Sequence, residues 1–242
     1  MSLIFYLAVI PPLYLMYRIY QMDKVEKEPV RLVAKVFVFG MLCCIPAGIA
    51  ESIGISLLQN LVDPNGLLFV ALENFLVVAL AEEGFKLLVT RHFTWKNPSF
   101  NYLFDGIVYC AAASLGFACF ENIFYVYGGE YEALFIAATR AVTSIPGHCT
   151  FGIMMGYYYG IAKLLTERGD LDQGRAYLRK ALWVPVFLHG LYDFILSTEL
   201  ELLIIVFIAY VIWLDVHAVK KARELAQADQ AFHPEGDGGL NW

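Results

Sequence analysis

Apolar residues run along this chain in long unbroken blocks, not at the spacing of a soluble helix face or a half-buried strand. Seven blocks stand out: residues 2–17, 34–60, 67–91, 103–127, 131–163, 181–198 and 200–219. A helix needs roughly 20 mostly apolar residues to cross a hydrocarbon layer of about 30 Å. The pattern predicts an all-α fold, a polytopic membrane helix bundle of about seven transmembrane helices. The first block is short and holds Pro11 and Pro12, yet it has no charged leader and no small-residue cleavage site, which predicts a retained helix. The fifth is long and carries Pro146-Gly147 in its middle, where a kink or break is expected.

The polar connections between blocks alternate in charge. Arg18, Lys24, Lys27, Arg31 and Lys35 lie between the first two blocks, Lys86, Arg91 and Lys96 around the third connection, and Lys163, Arg168, Arg175, Arg179 and Lys180 around the fifth. Lys220, Lys221 and Arg223 follow the seventh block, whereas the connections 61–66, 128–130 and 199 hold no Lys or Arg. Of 17 basic residues only Arg140 breaks the alternation. The positive-inside rule then predicts an outside N-terminus and a cytoplasmic C-terminus. No polar piece is long enough to build its own core. The expected organisation is one membrane domain, 1–221, and a polar C-terminal tail, 222–242, expected to be disordered.

Composition agrees: 59% of residues are hydrophobic and 17% charged, against about one quarter charged in soluble domains. A net charge of −6 lacks the basic excess that a nucleic-acid binder uses against phosphates. Cys43, Cys44, Cys110, Cys119 and Cys149 lie in apolar runs without CxxC spacing and read as small packing residues.

Ionisable groups inside the blocks change the picture. Glu51, Glu73, Glu82, Glu83, Lys86, Asp105, Glu121, Arg140, His148, His189 and Asp193 would each cost at least ~2.5–3.5 kcal/mol facing lipid near the bilayer centre, so they are expected to face one another, water or an ion. Lys86 lies four residues after Glu82 and three after Glu83, within reach of both. Adjacent helical residues point about 100° apart, so one carboxylate can face a reactive centre while the other anchors a neighbouring helix. The same triplet also reads as a buried pair that only locks packing. Ala112, Ala113, Gly116 and Cys119 would let another helix approach closely, with Glu121 and Asn122 beside that contact. Arg140, Thr143, Ser144 and His148 form one polar stripe, and Asp193 lies one turn after His189 as an orienter for that imidazole. Two imidazoles with two or more carboxylates make the ligand set of zinc hydrolases. By helical rise Glu83 and His189 lie ~12 and ~14 Å from Arg91 and Lys180, His148 ~22 Å from Lys163, and Glu121 ~27 Å from the start of its block. Glu121 is expected outside the cluster unless its helix starts late or tilts strongly. Asp105-Gly106 reads as a local cap, and Glu51 and Glu73 have no assigned role.

Glu82-Glu83-Gly84-Phe85-Lys86, Phe117 through Asn122, His148, and His189 with Asp193 resemble, in order, the motifs of the PrsW family of intramembrane proteases, within the wider group of CAAX prenyl endopeptidases. The stretch from Tyr17-Arg18 through Asp23-Lys24-Val25-Glu26-Lys27-Glu28-Pro29 is similar too. The resemblance implies a multi-pass protease of the bacterial inner (cytoplasmic) membrane that cuts a membrane-anchored protein, an anti-sigma factor or similar regulator, in stress signalling. It places the catalytic pair on Glu82 and Glu83, with Glu82 as general base and Glu83 either a further ligand or a partner of Lys86. Glu121, His148 and His189 would bind zinc or polarise the carbonyl, with Lys86, Asn122, Asp193 and Arg140 in support. A metal-free variant uses Glu82 and Glu121 to activate water and the histidines to stabilise the oxyanion. Other readings of the buried groups are a proton- or cation-coupled transporter and a non-catalytic membrane scaffold or receptor.

Overall fold

The computed structural model describes residues 3–128, 133–198 and 201–232. Among them all regular structure is helical. The elements are α1 (Leu3–Met22), α2 (Val30–Leu42), α3 (Cys44–Leu58), α4 (Leu67–Leu72), a π-helical segment (Glu73–Val78), α5 (Ala79–Thr94), α6 (Asp105–Gly128), α7 (Ala133–Val142), α8 (Ser144–Glu167), α9 (Leu171–Ser197) and α10 (Glu201–Phe232). Joined end to end where they abut, they make seven rods that match the seven apolar blocks. Three rods, Val30–Leu58, Asp105–Tyr125 and Leu203–Ala231, are long and apolar enough to cross a membrane by length and composition alone.

Two rods break, and each break has the same cause. The helix stops at Cys43, three residues before Pro46, and again at Thr143, three residues before Pro146. Proline lacks the N–H that would bond the carbonyl four residues back and its ring crowds that carbonyl, so the turn before it is lost. The expected break at Pro146-Gly147 therefore lies at Thr143, and Pro146 sits in the first turn of α8, where a missing N–H costs nothing.

α6 is the hub. It packs against α8, α2 and α1, and residues 107–113 along it are wholly buried. Lipid offers no hydrophobic drive between helices, so contact depends on close approach at small residues. A Cβ on Gly40 of α2 would fall on the backbone of Ala113, and one on Gly116 on the backbone of Phe37. On the other flank Gly152, Gly156 and Gly160 of α8 lie against Ser114, Ile107 and Leu103. Away from the hub the apolar side chains turn outward: Ile45, Ile49, Ile53 and Leu57 of α3 and Ile204, Ile205, Ile208 and Ile212 of α10 are exposed. Those stripes suit contact with lipid.

α10 runs on through the boundary expected at 221–222. Ala222, Leu225 and Asp229 recur at helical spacing and are buried, and the Asp229 carboxylate accepts from the backbone N–H groups of Leu103 (3.1 Å) and Phe104 (2.8 Å) ahead of α6. Residues 222–232 are thus helical and docked, and 233–242 lie outside the described residues. Asp105 does act locally, accepting from Asn101 N (2.9 Å) and Tyr102 N (2.7 Å). Beside it, the Tyr109 hydroxyl donates to Glu28.

Candidate active site

α5 places Glu82, Glu83 and Lys86 on one side, and all three are buried. The Lys86 ammonium donates to Glu82 Oε2 at 2.9 Å and Glu83 Oε1 at 2.8 Å. It also contacts His148 Nδ1, 3.1 Å away on α8. An ammonium can only donate, so Nδ1 accepts and Nε2 carries the proton. That Nε2 lies 2.9 Å from Glu121 Oε2 of α6. Glu121 also forms an ion pair with Arg140, whose Nη2 lies 2.7 Å from its Oε2 without hydrogen-bond geometry, and Arg140 Nε donates to Asn122 Oδ1 at 2.6 Å. The Arg140 guanidinium lies over the Tyr125 ring. The one basic residue outside the charge alternation is therefore the counter-ion of Glu121.

On α9, His189 has both ring nitrogens on carboxylates: Nδ1 is 3.0 Å from Glu83 Oε1 and 3.9 Å from Glu82 Oε2, and Nε2 is 3.1 Å from Asp193 Oδ2. The His148 and His189 rings stand 5.4 Å apart, nearly perpendicular. Phe151 stacks on His189, and Phe117 lies 4.2 Å under the Lys86 ammonium. Five helices, α5 to α9, thus share one polar network, which fixes their packing as well as their chemistry.

The paired carboxylates divide their work. Glu82 lines a cavity of about 1130 Å³ together with Glu121, His148, His189, Asp193 and Arg140. Glu83 is turned away from that cavity and fully buried, bridging Lys86 of its own helix and His189 of α9.

Glu121 belongs to the network after all, because α6 starts two residues inside its apolar block while α8 and α9 extend beyond theirs. Measured from the ends of α6, α8 and α9, at Asp105, Glu167 and Leu171, Glu121, His148 and His189 lie ~24, ~28 and ~27 Å deep. Apolarity marks where lipid begins, not where a helix starts.

The one set of three potential ligands found within reach of a single ion, among the described residues, is Glu82, Glu83 and His189, whose donor atoms lie within 4.8 Å of one another. His148 and Glu121 are not in it. Two carboxylates and an imidazole are donors that suit zinc, and Asp193 on the far nitrogen of His189 is the usual orienting carboxylate. Glu83 Oε2 is buried with no hydrogen-bond partner, a free lone pair facing no donor. The donor set fits a metal ion, with the Lys86 ammonium as the charge it would meet there.

Glu51 and Glu73, left without a role by the sequence, both line the cavity, as does Asn74, which the sequence did not single out. Phe151 was also missed; its spacing of three from His148 on one helix was the available signal.

A profile of the family described as PrsW family intramembrane metalloprotease matches residues 28–216. The chain is 38% identical over 214 residues to a protease PrsW of Clostridioides difficile (strain 630), covering 86% of this chain and 85% of that one. It is 35% identical over 193 residues to a protease PrsW of Geobacillus kaustophilus (strain HTA426), 79% of each chain. With a protease PrsW of Bacillus subtilis (strain 168) it shares 30% identity over 220 residues, 90% of this chain and 94% of that one. No solved structure matches it. A profile match across most of its length, carried by the helices that build the buried acid–imidazole network, makes the chain a member of the PrsW family of intramembrane proteases.

Proposed function

We propose that the protein hydrolyses a peptide bond of a membrane-anchored protein, an anti-sigma factor or a similar regulator, inside the cavity between α3, the π-helical segment, α5, α6, α7, α8 and α9. The observation that carries this reading is the division between the paired acids: Glu82 meets the cavity while Glu83 is turned into protein. Glu82 is then the carboxylate that takes a proton from the attacking water. Lys86 holds it pointed, and Glu83 holds Lys86 and His189 in register. The Arg140 guanidinium, which lines the cavity beside Glu121, supplies the positive edge toward which a carbonyl oxygen can lean as it gains charge.

Glu82, Glu83 and His189 are the residues that would hold zinc, with Asp193 behind. When bound it supplies a polarised carbonyl and a more acidic water. Glu82 stays beside that water in either case. The asymmetry of basic residues supports a cytoplasmic C-terminus in a bacterial cytoplasmic membrane, with the Arg140 end of the cavity on the outer side.

The test uses the full chain reconstituted with a membrane-anchored substrate. Glu82→Gln should abolish cleavage while the protein purifies and unfolds like wild type; cleavage at the normal rate would remove Glu82 from the mechanism. Metal analysis of active wild-type protein and of His189→Ala decides the zinc assignment: active protein without zinc would refute it and leave the hydrolase standing.

A further inference from the structure

A second cavity, of about 570 Å³, lies away from the network, between α5 and α9. Its walls are Gly84, Leu87 and Leu88 from α5 and Leu178 and Leu182 from α9, and its rim is Arg91, Arg175 and Arg179. The spacing explains the groove. Gly84, Leu88 and Arg91 stand at i, i+4 and i+7 on α5, and Arg175, Leu178, Arg179 and Leu182 at i, i+3, i+4 and i+7 on α9, so each helix presents one stripe that is apolar toward its middle and basic at one end. Gly84 opens the floor: a Cβ built there meets nothing within 4 Å. Leu88 is exposed, and the Arg175–Asp172 pair is exposed too, with side chains 66% and 90% accessible, a contact worth little in water.

We propose that this groove is a seat for an anionic phospholipid, with the headgroup phosphate on Arg91, Arg175 and Arg179 and the upper acyl chain against Leu87, Leu88, Leu178 and Leu182 over Gly84. Three physical points converge on that occupant. The volume lies within the range of small-ligand sites. Guanidinium forks match phosphate oxygens and keep their charge at any working pH. The polarity gradient along both helices, apolar toward the bundle middle and basic at its end, is the gradient of a lipid lying in one leaflet, and basic pockets between membrane helices are where anionic headgroups lodge. A soluble anion would use the arginines but leave the leucine walls and the gap over Gly84 unfilled. The groove uses a different stripe of α5 from Glu82 and Lys86, so the seat and the acid–imidazole network share a helix without sharing a side chain.

Native mass spectrometry of the full-length detergent-solubilised protein tests this, with phosphatidylglycerol, phosphatidylcholine and inorganic phosphate as separate probes. Phosphatidylglycerol should bind, and the Arg91→Gln, Arg175→Gln, Arg179→Gln triple variant should bind it roughly 100-fold more weakly, the factor for about three headgroup-attracting charges. A control variant, Lys220→Gln, Lys221→Gln, Arg223→Gln, removes the same charge from α10 outside the groove and should bind like wild type. Equal loss in both variants would make the effect general surface charge and overturn the seat. Equal binding of phosphatidylcholine, binding of phosphate alone as tight as that of the lipid, or full binding by the arginine variant would overturn it as well. The three arginines are surface side chains, and an unfolding midpoint close to wild type certifies each variant.

Discussion

The Lys86 ammonium reaches across 62 positions of chain to His148 Nδ1 at 3.1 Å while bonding Glu82 and Glu83 on its own helix. A single buried cation therefore balances two buried carboxylates and also sets the tautomer of an imidazole on another helix.

Removing that cation should be costly. Lys86→Met leaves two carboxylates uncompensated in a low-dielectric interior, which typically costs about 3–5 kcal/mol. Chemical unfolding in detergent should show the loss. Adding Glu83→Gln to Lys86→Met should restore part of it, because one of the stranded charges is then gone. A Lys86→Met protein as stable as wild type would mean that the network is not what holds α5 in place.

The two acids should separate by phenotype. Glu82→Gln removes the cavity-facing carboxylate, so turnover should fall by about 10²–10⁴, the usual contribution of a general base, with little change in unfolding. Glu83→Gln weakens the bridge between Lys86 and His189, so stability should fall together with activity. Steady-state cleavage and unfolding curves measured on the same preparations check both, and the reverse pattern would exchange the two roles.

The hub contact offers a steric test. Gly156→Leu places side-chain atoms where the Ile107 backbone of α6 already lies. Overpacking of this kind costs typically 1–3 kcal/mol, and here the obstacle is backbone, which cannot rotate away. A lower melting temperature than Gly48→Leu is expected, since a Cβ at Gly48 meets nothing within 4 Å.

Stability should also depend on pH through the segment ahead of α2. Burial pushes the Asp23 carboxyl up to about 6, and burial pushes Glu28 up to about 7 against the pull of its Tyr109 hydrogen bond. Unfolded carboxylates titrate near ~4, so from there to about 7 the folded chain holds more protons than the unfolded one. Stability should therefore fall as pH rises through that window. Unfolding midpoints at about pH 5 and about pH 8 measure the drop, and Asp23→Asn with Glu28→Gln should flatten it. An unchanged profile in the double variant would assign the dependence to other groups.

Much of this molecule is written locally. Long apolar blocks and the alternation of basic connections depend only on neighbours in the chain, so the seven rods and the list of ionisable residues inside them were legible from the sequence. So was the Glu82–Glu83–Lys86 triplet, because i+3 and i+4 contacts follow from helical geometry. Family motifs, being short and ordered, were legible for the same reason.

What needed the folded chain is whatever depends on where one helix stops relative to another. Glu121 looked too deep because apolar length stood in for helix length, and α9 begins at Leu171, ten residues before its apolar block. The break expected at Pro146 lies at Thr143, because proline spoils the turn behind it, not its own. Residues 222–232 looked like a loose tail, and the distant N–H groups of Leu103 and Phe104 that dock Asp229 are not visible from its neighbours in the chain. The sequence by itself determined which groups had to leave lipid, since that cost belongs to each residue alone. Which of two adjacent glutamates faces the cavity, and which imidazole is left within an ion's reach of both, was decided by tertiary packing, because orientation about a helix axis has meaning only against the helices beside it.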